Sequence, residues 1–467
     1  MTDRQLVRRA AVAAVAVMVA GCSSPSTSSS SWSTTLRPLA TMAASSGSGP
    51  RPAANPYFSA PFAVATNRVT FGQDPVWTPD GRVLSNDPDA AHLSQIYLQN
   101  LDGSQRTCVT CGKPGPNGFP QANPKGGWVL YGSWRGQKTA IGAPALGGAG
   151  TDLFVSRYDG SQDTRLTQIA QAPVGHAEDN YHPYWSPDGR QLVWTHVDFQ
   201  PVAQGGTRWE IRLADFVVDA RGPHLANIRS IGPAHATGFE TQAWSPDGRG
   251  FLFTQFGDRA HYGFMNSELY FMQVRGGGAS PEHPVITHLT DGSPAWDEQA
   301  VFTPDGRNVI WMSSRARPSW FESVVSSAQW LDFDSPYDNT IFGALFFRIL
   351  ADPKFKTELY MLDLGTKAVR RLTFDDTVIP EFQFDPGGTR LLWTTGAANA
   401  TRVGTFDLHG TSGAVTGTPA VLPAGHRPAR PLAAAPHGLT PSIFEGPKLL
   451  APELARLQHE IATRITS

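Results

Sequence analysis

The sequence predicts an all-β protein built from repeated antiparallel sheets, and three observations support this prediction. The chain of 467 residues contains 46 glycines and 38 prolines, a turn-rich composition that leaves little room for long helices. Its 13 tryptophans and 25 phenylalanines need burial, and turn-rich, aromatic-rich chains of this length are usually all-β. The third observation is a short turn sequence that recurs along most of the chain.

The first 21 residues have the features of an export signal. Three arginines within residues 4–9 give a positive start, and residues 10–20 form an apolar stretch that is too short to span a bilayer. The stretch ends in Val19-Ala20-Gly21-Cys22, which resembles the lipid-attachment box of bacterial lipoproteins. The resemblance implies cleavage of residues 1–21 and lipidation of Cys22. An ordinary signal peptide followed by a chance cysteine is the alternative, and both the general and the twin-arginine export routes stay open.

Residues 22–60 are predicted to be a flexible tether. They are rich in serine, proline and alanine and carry almost no charge, so they cannot bury enough apolar surface to fold. No later segment is long and apolar enough to cross a membrane. We therefore expect an exported protein held by its N-terminal lipid at the cell membrane or the outer membrane, facing outside the cytoplasm.

The turn sequence recurs six times within residues 61–430. A serine, threonine, aspartate or asparagine can bond the following backbone, proline presets φ, and glycine closes the turn without a Cβ clash. An apolar strand follows every copy. The four close copies and then the two degenerate ones are Trp77–Arg82, Trp185–Arg190, Trp244–Arg249, Phe302–Arg307, Asn123–Gly127 and Phe384–Gly388.

Further strands after each turn complete a four-stranded antiparallel unit. One such sheet cannot cover both of its apolar faces, so the units are expected to stack radially into a six-bladed β-propeller. Residues 68–71 look like an outer strand without a unit before them. We expect them to supply the outermost strand of the last blade, whose other strands lie within residues 383–408, because such closure removes an open sheet edge.

The repeated turns, followed by I-Y-x-x-x-x-D-G and R-L-T strands, resemble the TolB-type (WD40-like) β-propeller repeat of bacterial envelope proteins over about residues 63–425. The resemblance implies a propeller domain that binds other molecules at the cell envelope. This chain departs from the TolB pattern because only a signal and a tether precede its propeller, so a peptidoglycan-associated partner is not carried over.

Two segments outside the repeats have aromatic or apolar patterns. The longest insertion, Arg315–Thr357 in blade five, holds nine aromatic residues and is interpreted as a helical cap on the rim, with a lid or partner-docking surface as the alternative. Residues 431–467 form a C-terminal tail, in which apolar residues at helical spacing predict one short amphipathic helix over 452–465.

Cys108 and Cys111 are predicted to form a local disulfide, since two neighbouring cysteines in an exported chain most simply pair with each other. A redox motif would need a helix N-terminus, which is not readable here. A zinc site would need four ligands.

The strand before each turn is innermost in a propeller, so residues leading into it should line one mouth of the central channel. Aligning the repeats places six polar residues there, with Phe119 in the degenerate second blade. A ring of carboxylates creates a concentrated negative field, which could bind a divalent cation, a basic peptide or a polyhydroxylated ligand. The alternative is ordinary polar loop residues. The six residues are Asp74, His182, Glu240, Asp297, Glu298 and Glu381.

These residues lead to two functional hypotheses, and a purely structural envelope lipoprotein, for which the charges at the channel mouth would not matter, is a third. The first is a binding scaffold that recognises an envelope protein or a glycan, with no committed cofactor and no assigned metal. The second is a metal-dependent glycan lyase or hydrolase that uses the channel mouth, suggested by a comparison of His176, His182 and His235 with oligogalacturonate lyase-like propellers. The binding scaffold is favoured over an enzyme. A net charge of −2 argues against a nucleic-acid partner, and we expect a monomer.

Overall fold

The computed structural model describes most of the repeat region and little of the two ends. The described residues are 36–37, 55–90, 93–135, 151–169, 177–199, 208–231, 238–256, 267–290, 295–315, 356–374, 378–379, 381–395 and 400–409. Cys22, His176, His235, nearly all of the 315–357 insertion and the C-terminal tail therefore lie outside the described residues. Within the described ranges, no helix has the length and apolar composition needed to cross a bilayer.

The predicted six-bladed propeller is confirmed: the described strands form six sheets arranged as blades. The elements before blade 1 are β1 (Leu36–Arg37), α1 (Pro56–Ser59) and β2 (Phe62–Thr66). Blade 1 comprises β3 (Gln73–Trp77), β4 (Val83–Pro88), β5 (Ser94–Gln99) and β6 (Thr107–Cys108). Blade 2 comprises β7 (Asn117–Ala122), β8 (Trp128–Ser133), β9 (Asp152–Arg157) and β10 (Thr164–Arg165). Blade 3 comprises β11 (Ala177–Trp185), β12 (Gln191–Phe199), β13 (Arg208–Asp219) and β14 (Gly222–Ser230).

Blades 4 to 6 repeat the same antiparallel strand order. Blade 4 comprises β15 (Phe239–Trp244), β16 (Gly250–Phe256), β17 (Ser267–Gln273) and β18 (Val285–His288), and β1 pairs in parallel with β18. Blade 5 comprises β19 (Asp297–Phe302), β20 (Asn308–Ser313), β21 (Glu358–Asp363) and β22 (Val369–Arg371). Blade 6 comprises β23 (Phe382–Phe384), β24 (Arg390–Thr394) and β25 (Thr401–Phe406), with β2 as its outermost strand.

The apolar core lies between the blades rather than within any one of them. Each neighbouring pair of blades encloses one cluster of buried side chains. Between blades 2 and 3, for example, fully buried Leu130 and Trp194 belong to the same cluster. Radial stacking therefore buries the two faces of every sheet, which a single four-stranded sheet could not do alone.

The turn motif forms as its chemistry predicts. In blade 3 the Ser186 hydroxyl donates to Asp188 Oδ1 at 2.6 Å, and the backbone N–H of Gln191 donates to Ser186 Oγ at 2.9 Å. Gly189 has a φ of 69°, a left-handed conformation that glycine adopts without a Cβ penalty. The motif therefore ties the end of each innermost strand to the start of the next strand.

The R-L-T sequences also have a structural role. In blade 5 the Thr373 hydroxyl donates to the buried carboxylate of Glu358 while accepting the backbone N–H of Leu359 at 2.9 Å, and Arg371 donates to the other oxygen of Glu358 at 2.8 Å. Blade 2 repeats this arrangement with Asp152. Blade 1 keeps the threonine contacts, with Gln95 in place of the carboxylate and no arginine contact to it. The motif pins each outer strand to the strand beside it through a buried polar group.

The propeller closes with a different segment from the one that the sequence predicts. Strand β2 pairs with β25, with Val64 opposite Gly404, so an N-terminal strand does complete blade 6. Residues 68–71, however, form no strand. They must cross from the outer edge of blade 6 to the axis, since β3 begins at Gln73. Phe71 is buried and its N–H donates to Thr401 Oγ1 at 2.7 Å.

The end of the predicted 22–60 tether is ordered against the propeller. Asn55 caps α1 and its amide donates to Asp363 Oδ2 at 2.9 Å in blade 5. The buried Tyr57 hydroxyl donates to the carbonyl of Gly388 in blade 6 at 2.6 Å. The segment therefore bridges blades 5 and 6 through the polar contact of Asn55 and the buried ring and hydroxyl of Tyr57.

Candidate functional site

The innermost strands carry a repeated irregularity that turns one side chain toward the channel. Strands β3, β7, β11 and β19 each shift register about four residues before their turn motif. The residue at the shift has a positive φ, which is 48° for Asp74, 53° for Phe119, 47° for His182 and 53° for Gln299. Such bulges re-aim side chains, and a bulky residue such as phenylalanine rarely adopts this conformation.

Three of these side chains, those of Asp74, Phe119 and His182, line a cavity on the propeller axis, which we call the central pocket. Its cavity volume is about 10 Å³, which is room for roughly one water molecule, and the pocket opens in part to solvent. Residues of blades 1, 2, 3 and 6 surround it, so the pocket belongs to the wheel as a whole rather than to any one sheet. The lining residues are Asp74, Pro75, Val76, Phe119, Gln121, His182, Pro183, Tyr184, Glu381 and Gln383.

Four carboxyl groups meet at this level of the channel, and we call Asp74, Glu240, Glu298 and Glu381 the acid cluster. They come from blades 1, 4, 5 and 6, as the aligned repeats predict. Burial raises the pKa of Glu381, and the nearby charges of Asp74 and Glu298 raise it further. Burial also raises the pKa of Glu240 well above its usual range, with Glu298 as the largest charge contribution.

Asp74 is the best-defined member of the acid cluster. Burial raises the pKa of its carboxyl to about 7, although the amide of Asn86, which donates to Asp74 Oδ2 at 2.7 Å, partly opposes the shift. At the other side of the cluster, the indole N–H of Trp296 donates to Glu298 Oε2 at 2.6 Å, and the Tyr181 hydroxyl lies 3.4 Å from Glu240 Oε1. The cluster is therefore held by neutral donors, with protons stabilising several of its members near neutral pH.

His182 stands at the edge of the acid cluster without a hydrogen bond to its Nδ1 atom. The side chain is only 9% exposed, and Nδ1 lies 3.8 Å from Glu240 Oε2, which is too long for a hydrogen bond. Burial lowers the pKa of His182 to about 4. The imidazole is therefore neutral at pH 7 and forms no ion pair with Glu240.

Asp297 does not join the acid cluster, although the aligned repeats place it there. Its carboxylate is fully buried and accepts a hydrogen bond from Arg315 Nη2 at 2.7 Å. Burial raises the pKa of Asp297 to about 6, and the Arg315 charge opposes the shift. Because successive strand residues point to opposite faces, Glu298 turns to the channel while Asp297 turns to blades 4 and 5. Asp297 therefore pairs with Arg315 at a buried position instead of facing the channel.

Sequence reasoning missed the residues beneath the acid cluster. Gln383 Nε2 donates to Gln121 Oε1 at 2.8 Å, which links blades 6 and 2 past blade 1 and so crosses the channel. The Tyr184 hydroxyl lies 3.3 Å from Gln242 Oε1. Gln121, Tyr184 and Gln383 lie two residues after Phe119, His182 and Glu381, so the two-residue period of a β-strand could have identified them.

No three histidine, cysteine, aspartate or glutamate side chains converge as metal ligands among the residues that the structure describes. Away from the channel, Cys108 and Cys111 are joined by a disulfide with a Cα–Cα distance of 5.5 Å. The disulfide lies at the end of the outermost strand of blade 1 and belongs to the rim.

Comparisons with known proteins identify similar solved structures only. No family model matches the chain, and no curated protein matches it either. TolB from Acinetobacter baumannii is similar at 16% identity and a TM-score of 0.42 over 70% of this chain, which spans 64% of that protein's length. A candidate TolB from Agrobacterium tumefaciens is similar at 15% identity and 0.43 over 74% of this chain and 97% of that one. An oligogalacturonate lyase from Vibrio parahaemolyticus is similar at 12% identity and 0.37 over 73% and 91%.

Proposed function

We propose that the protein is an exported, lipid-anchored propeller that binds a ligand or a partner protein at the cell envelope through the central pocket. The observation that supports this proposal is the acid cluster itself, in which four blades contribute carboxyl groups to one level of the channel. Buried carboxyl groups without cationic partners cost stability. A site that retains four of them beside an unpaired His182 nitrogen is better suited to receiving a ligand than to holding the wheel together.

A capture experiment with pocket variants tests this proposal. The mature protein, a double variant with Asp74→Asn and Glu381→Gln, and the control Glu282→Gln are immobilised and exposed to an envelope extract. Glu282 is a surface carboxylate with a side chain that is 60% exposed, so the control removes charge without touching the pocket. We expect species that are retained by the wild type and the control and lost by the double variant. Retention of the same species by all three proteins would count against the pocket as the binding site.

The lipid anchor is tested separately through Cys22. Replacing Cys22 by alanine should move the protein from the membrane fraction to the soluble exported fraction, because the acyl chains are the proposed anchor. Labelling with a radioactive fatty acid should be lost in the same variant. An unlabelled wild-type protein would contradict lipidation. Two of the three histidines behind the lyase alternative lie outside the described residues, and that alternative stays a prediction.

A further inference from the structure

The disulfide of blade 1 lies where other blades carry the arginine of the R-L-T sequence. Cys108 has the same register position on its outer strand as Arg165 in blade 2 and Arg371 in blade 5, opposite an aromatic residue of the neighbouring strand. We propose that Cys108 and Cys111 form a redox-active pair that exchanges its disulfide with dithiols. This activity is separate from the central pocket and goes beyond the binding function proposed above.

The disulfide does not link two strands. Cys108 and Cys111 are three residues apart, so the bond closes only one turn at the end of β6. Arg165 and Arg371, at the same register position, instead contact a buried carboxylate on the neighbouring strand. Because closing so short a loop removes little conformational freedom from the unfolded chain, the stability of the propeller does not account for this bond.

The turn keeps its shape through contacts that do not involve sulfur. Val109 and Thr110, the two residues between the cysteines, are buried. The backbone N–H of Val109 donates to the carbonyl of Ile96 at 2.8 Å, and the Thr110 hydroxyl donates to Gln95 Oε1 at 2.7 Å. The N–H of Lys113 donates to the carbonyl of Thr110 at 3.0 Å. These contacts keep the two sulfurs close to each other when the bond is reduced, as reversible exchange requires.

The two cysteines differ in their access to solvent. Cys111 is exposed, whereas Cys108 is partly buried. Exchange begins when an external thiolate reaches one sulfur of the disulfide, and its rate depends on access to that sulfur. Cys111 is therefore the residue that is attacked, and Cys108 is the leaving group.

Hydrogen-bond donors stabilise both sulfurs as thiolates. The backbone N–H of Cys111 donates to Cys108 Sγ at 3.0 Å. The Tyr97 hydroxyl lies 3.6 Å from Cys111 Sγ, where its O–H can donate. Residues 109–116 contain no helix, so these two donors take the place of the helix N-terminus that stabilises thiolates at other reactive cysteines.

The exchange with a dithiol is balanced in two steps. A thiolate of the dithiol attacks Cys111 Sγ and forms a mixed disulfide, and the electron pair of the broken S–S bond goes to Cys108 Sγ. The second thiol of the dithiol loses its proton and attacks its own partner sulfur in the mixed disulfide, which releases Cys111 as a thiolate. The dithiol is oxidised to a disulfide, the protein gains two electrons, and the two protons lost by the dithiol neutralise the two thiolates.

Reduction of the folded protein tests the proposal. The mature chain is used with Cys22→Ala, because the sequence contains three cysteines and this change leaves only the pair. The protein is treated with dithiothreitol, folded and in urea, and free thiols are alkylated and located by mass spectrometry. We expect both cysteines to be labelled in the folded protein at a rate within about tenfold of the rate in urea. Circular dichroism should stay unchanged, and glutathione disulfide should restore the bond. A disulfide that is reduced only in urea, or whose reduction unfolds the propeller, would overturn the proposal.

Single-cysteine variants identify the sulfur that is attacked. In the Cys22→Ala protein, Cys108→Ser leaves Cys111 as the only thiol, and Cys111→Ser leaves Cys108. We expect glutathione disulfide to form a mixed disulfide with Cys111 at least about tenfold faster than with Cys108, because Cys111 is exposed. Equal rates, or a faster reaction of Cys108, would overturn the assignment of Cys111.

A tyrosine variant gives a readout that a purely structural disulfide would not affect. Tyr97→Phe, added to Cys108→Ser, removes the hydroxyl near Cys111 Sγ and keeps the ring. The pH profile for alkylation of Cys111 should shift to higher pH, because less thiolate forms at a given pH, whereas the control Glu282→Gln should leave it unchanged. An unshifted profile in the Tyr97→Phe protein would contradict the role of this hydroxyl. Capture through the central pocket does not depend on the cysteines, so the proposed function and this proposal fail by different results.

Discussion

Replacing Asp74 by asparagine should stabilise the protein at alkaline pH and leave its stability at acidic pH almost unchanged. Burial raises the pKa of Asp74 to about 7 from its ordinary value of 3.8, so ionising this carboxyl in the folded protein costs free energy. Asparagine has nearly the same shape and never ionises. It also tolerates the left-handed backbone at this position, where φ is 48°, better than most residues.

The size and sign of the effect follow from linkage between protons and folding. Raising the pKa of this carboxyl from 3.8 to about 7 corresponds to a free energy of about 4 kcal/mol. Because the folded pKa is raised, the folded protein binds this proton more tightly than the unfolded chain between pH 4 and 7, and stability falls as pH rises through that window. Asp74→Asn should therefore increase the free energy of unfolding by up to about 4 kcal/mol at pH 8 and by almost nothing at pH 4.

Other groups around Asp74 also titrate. The effect of Asp74 itself is therefore taken from the difference in the free energy of unfolding between the wild type and Asp74→Asn. Glu381 and Tyr184 interact with the Asp74 charge, while Asn86 and His182 face it without charge at pH 7. Burial lowers the pKa of His182 to about 4, which reduces stability as pH falls below 6.5. The His182 contribution is present in both proteins and cancels in this difference. The Glu381 contribution cancels only in part, because the Asp74 charge raises the pKa of Glu381.

Urea denaturation at pH 4, 6 and 8 measures this prediction. The control Glu282→Gln removes an exposed carboxylate and should change the free energy of unfolding by less than about 0.5 kcal/mol at every pH. An Asp74→Asn variant that is destabilised equally at all three pH values would refute the reasoning. It would show that Asp74 is ionised and well satisfied in the folded protein.

Three further substitutions test which contacts stabilise the propeller. Glu358→Ala leaves Arg371 without the buried carboxylate that it contacts at 2.8 Å. It should lower the free energy of unfolding, measured by denaturation, by about 3–5 kcal/mol. A loss under about 1 kcal/mol would refute the structural role assigned to the R-L-T sequence. Tyr57→Phe removes one buried hydrogen bond and should lower the free energy of unfolding by about 1 kcal/mol, whereas no change would mean that this hydrogen bond does not contribute to stability. Gly189→Ala places a Cβ 2.4 Å from Asn123 Oδ1 at a φ of 69° and should lower the melting temperature by several degrees, for a cost of about 1–2 kcal/mol. An unchanged melting temperature would contradict the turn geometry.

The fold could be predicted from the repeated turn motif because the residues of each turn interact with one another and with the adjacent backbone. Proline, glycine and a capping side chain such as Ser186 specify a tight turn without information from the rest of the chain. The closing strand was not readable in the same way. Residues 68–71 and 62–66 both suit a strand, and only the distance from the edge of blade 6 to the start of β3 at Gln73 decides between them.

The aligned repeats place both Glu298 and Asp297 at the channel, whereas in the structure Asp297 contacts Arg315, and this difference has a clear cause. Glu298 and Asp297 are neighbours, and alternation along a strand sends only one of them inward. The bulge in β19, which shifts the register between Glu298 and Val301, decides which one. No local pattern in the sequence marks that shift, so Asp297 was placed at the channel although it contacts Arg315.

By itself, the sequence determined the six antiparallel units and the level of the channel at which acidic side chains occur, because turn chemistry and repeat spacing act over a few residues. The tertiary structure alone decided that Asp74, Glu240, Glu298 and Glu381 share one buried environment, that the nitrogen of His182 lacks a partner, and that a glutamine pair crosses the channel below them. These properties depend on burial and on distances between blades that are far apart in the chain. They arise only when all six sheets close around one axis.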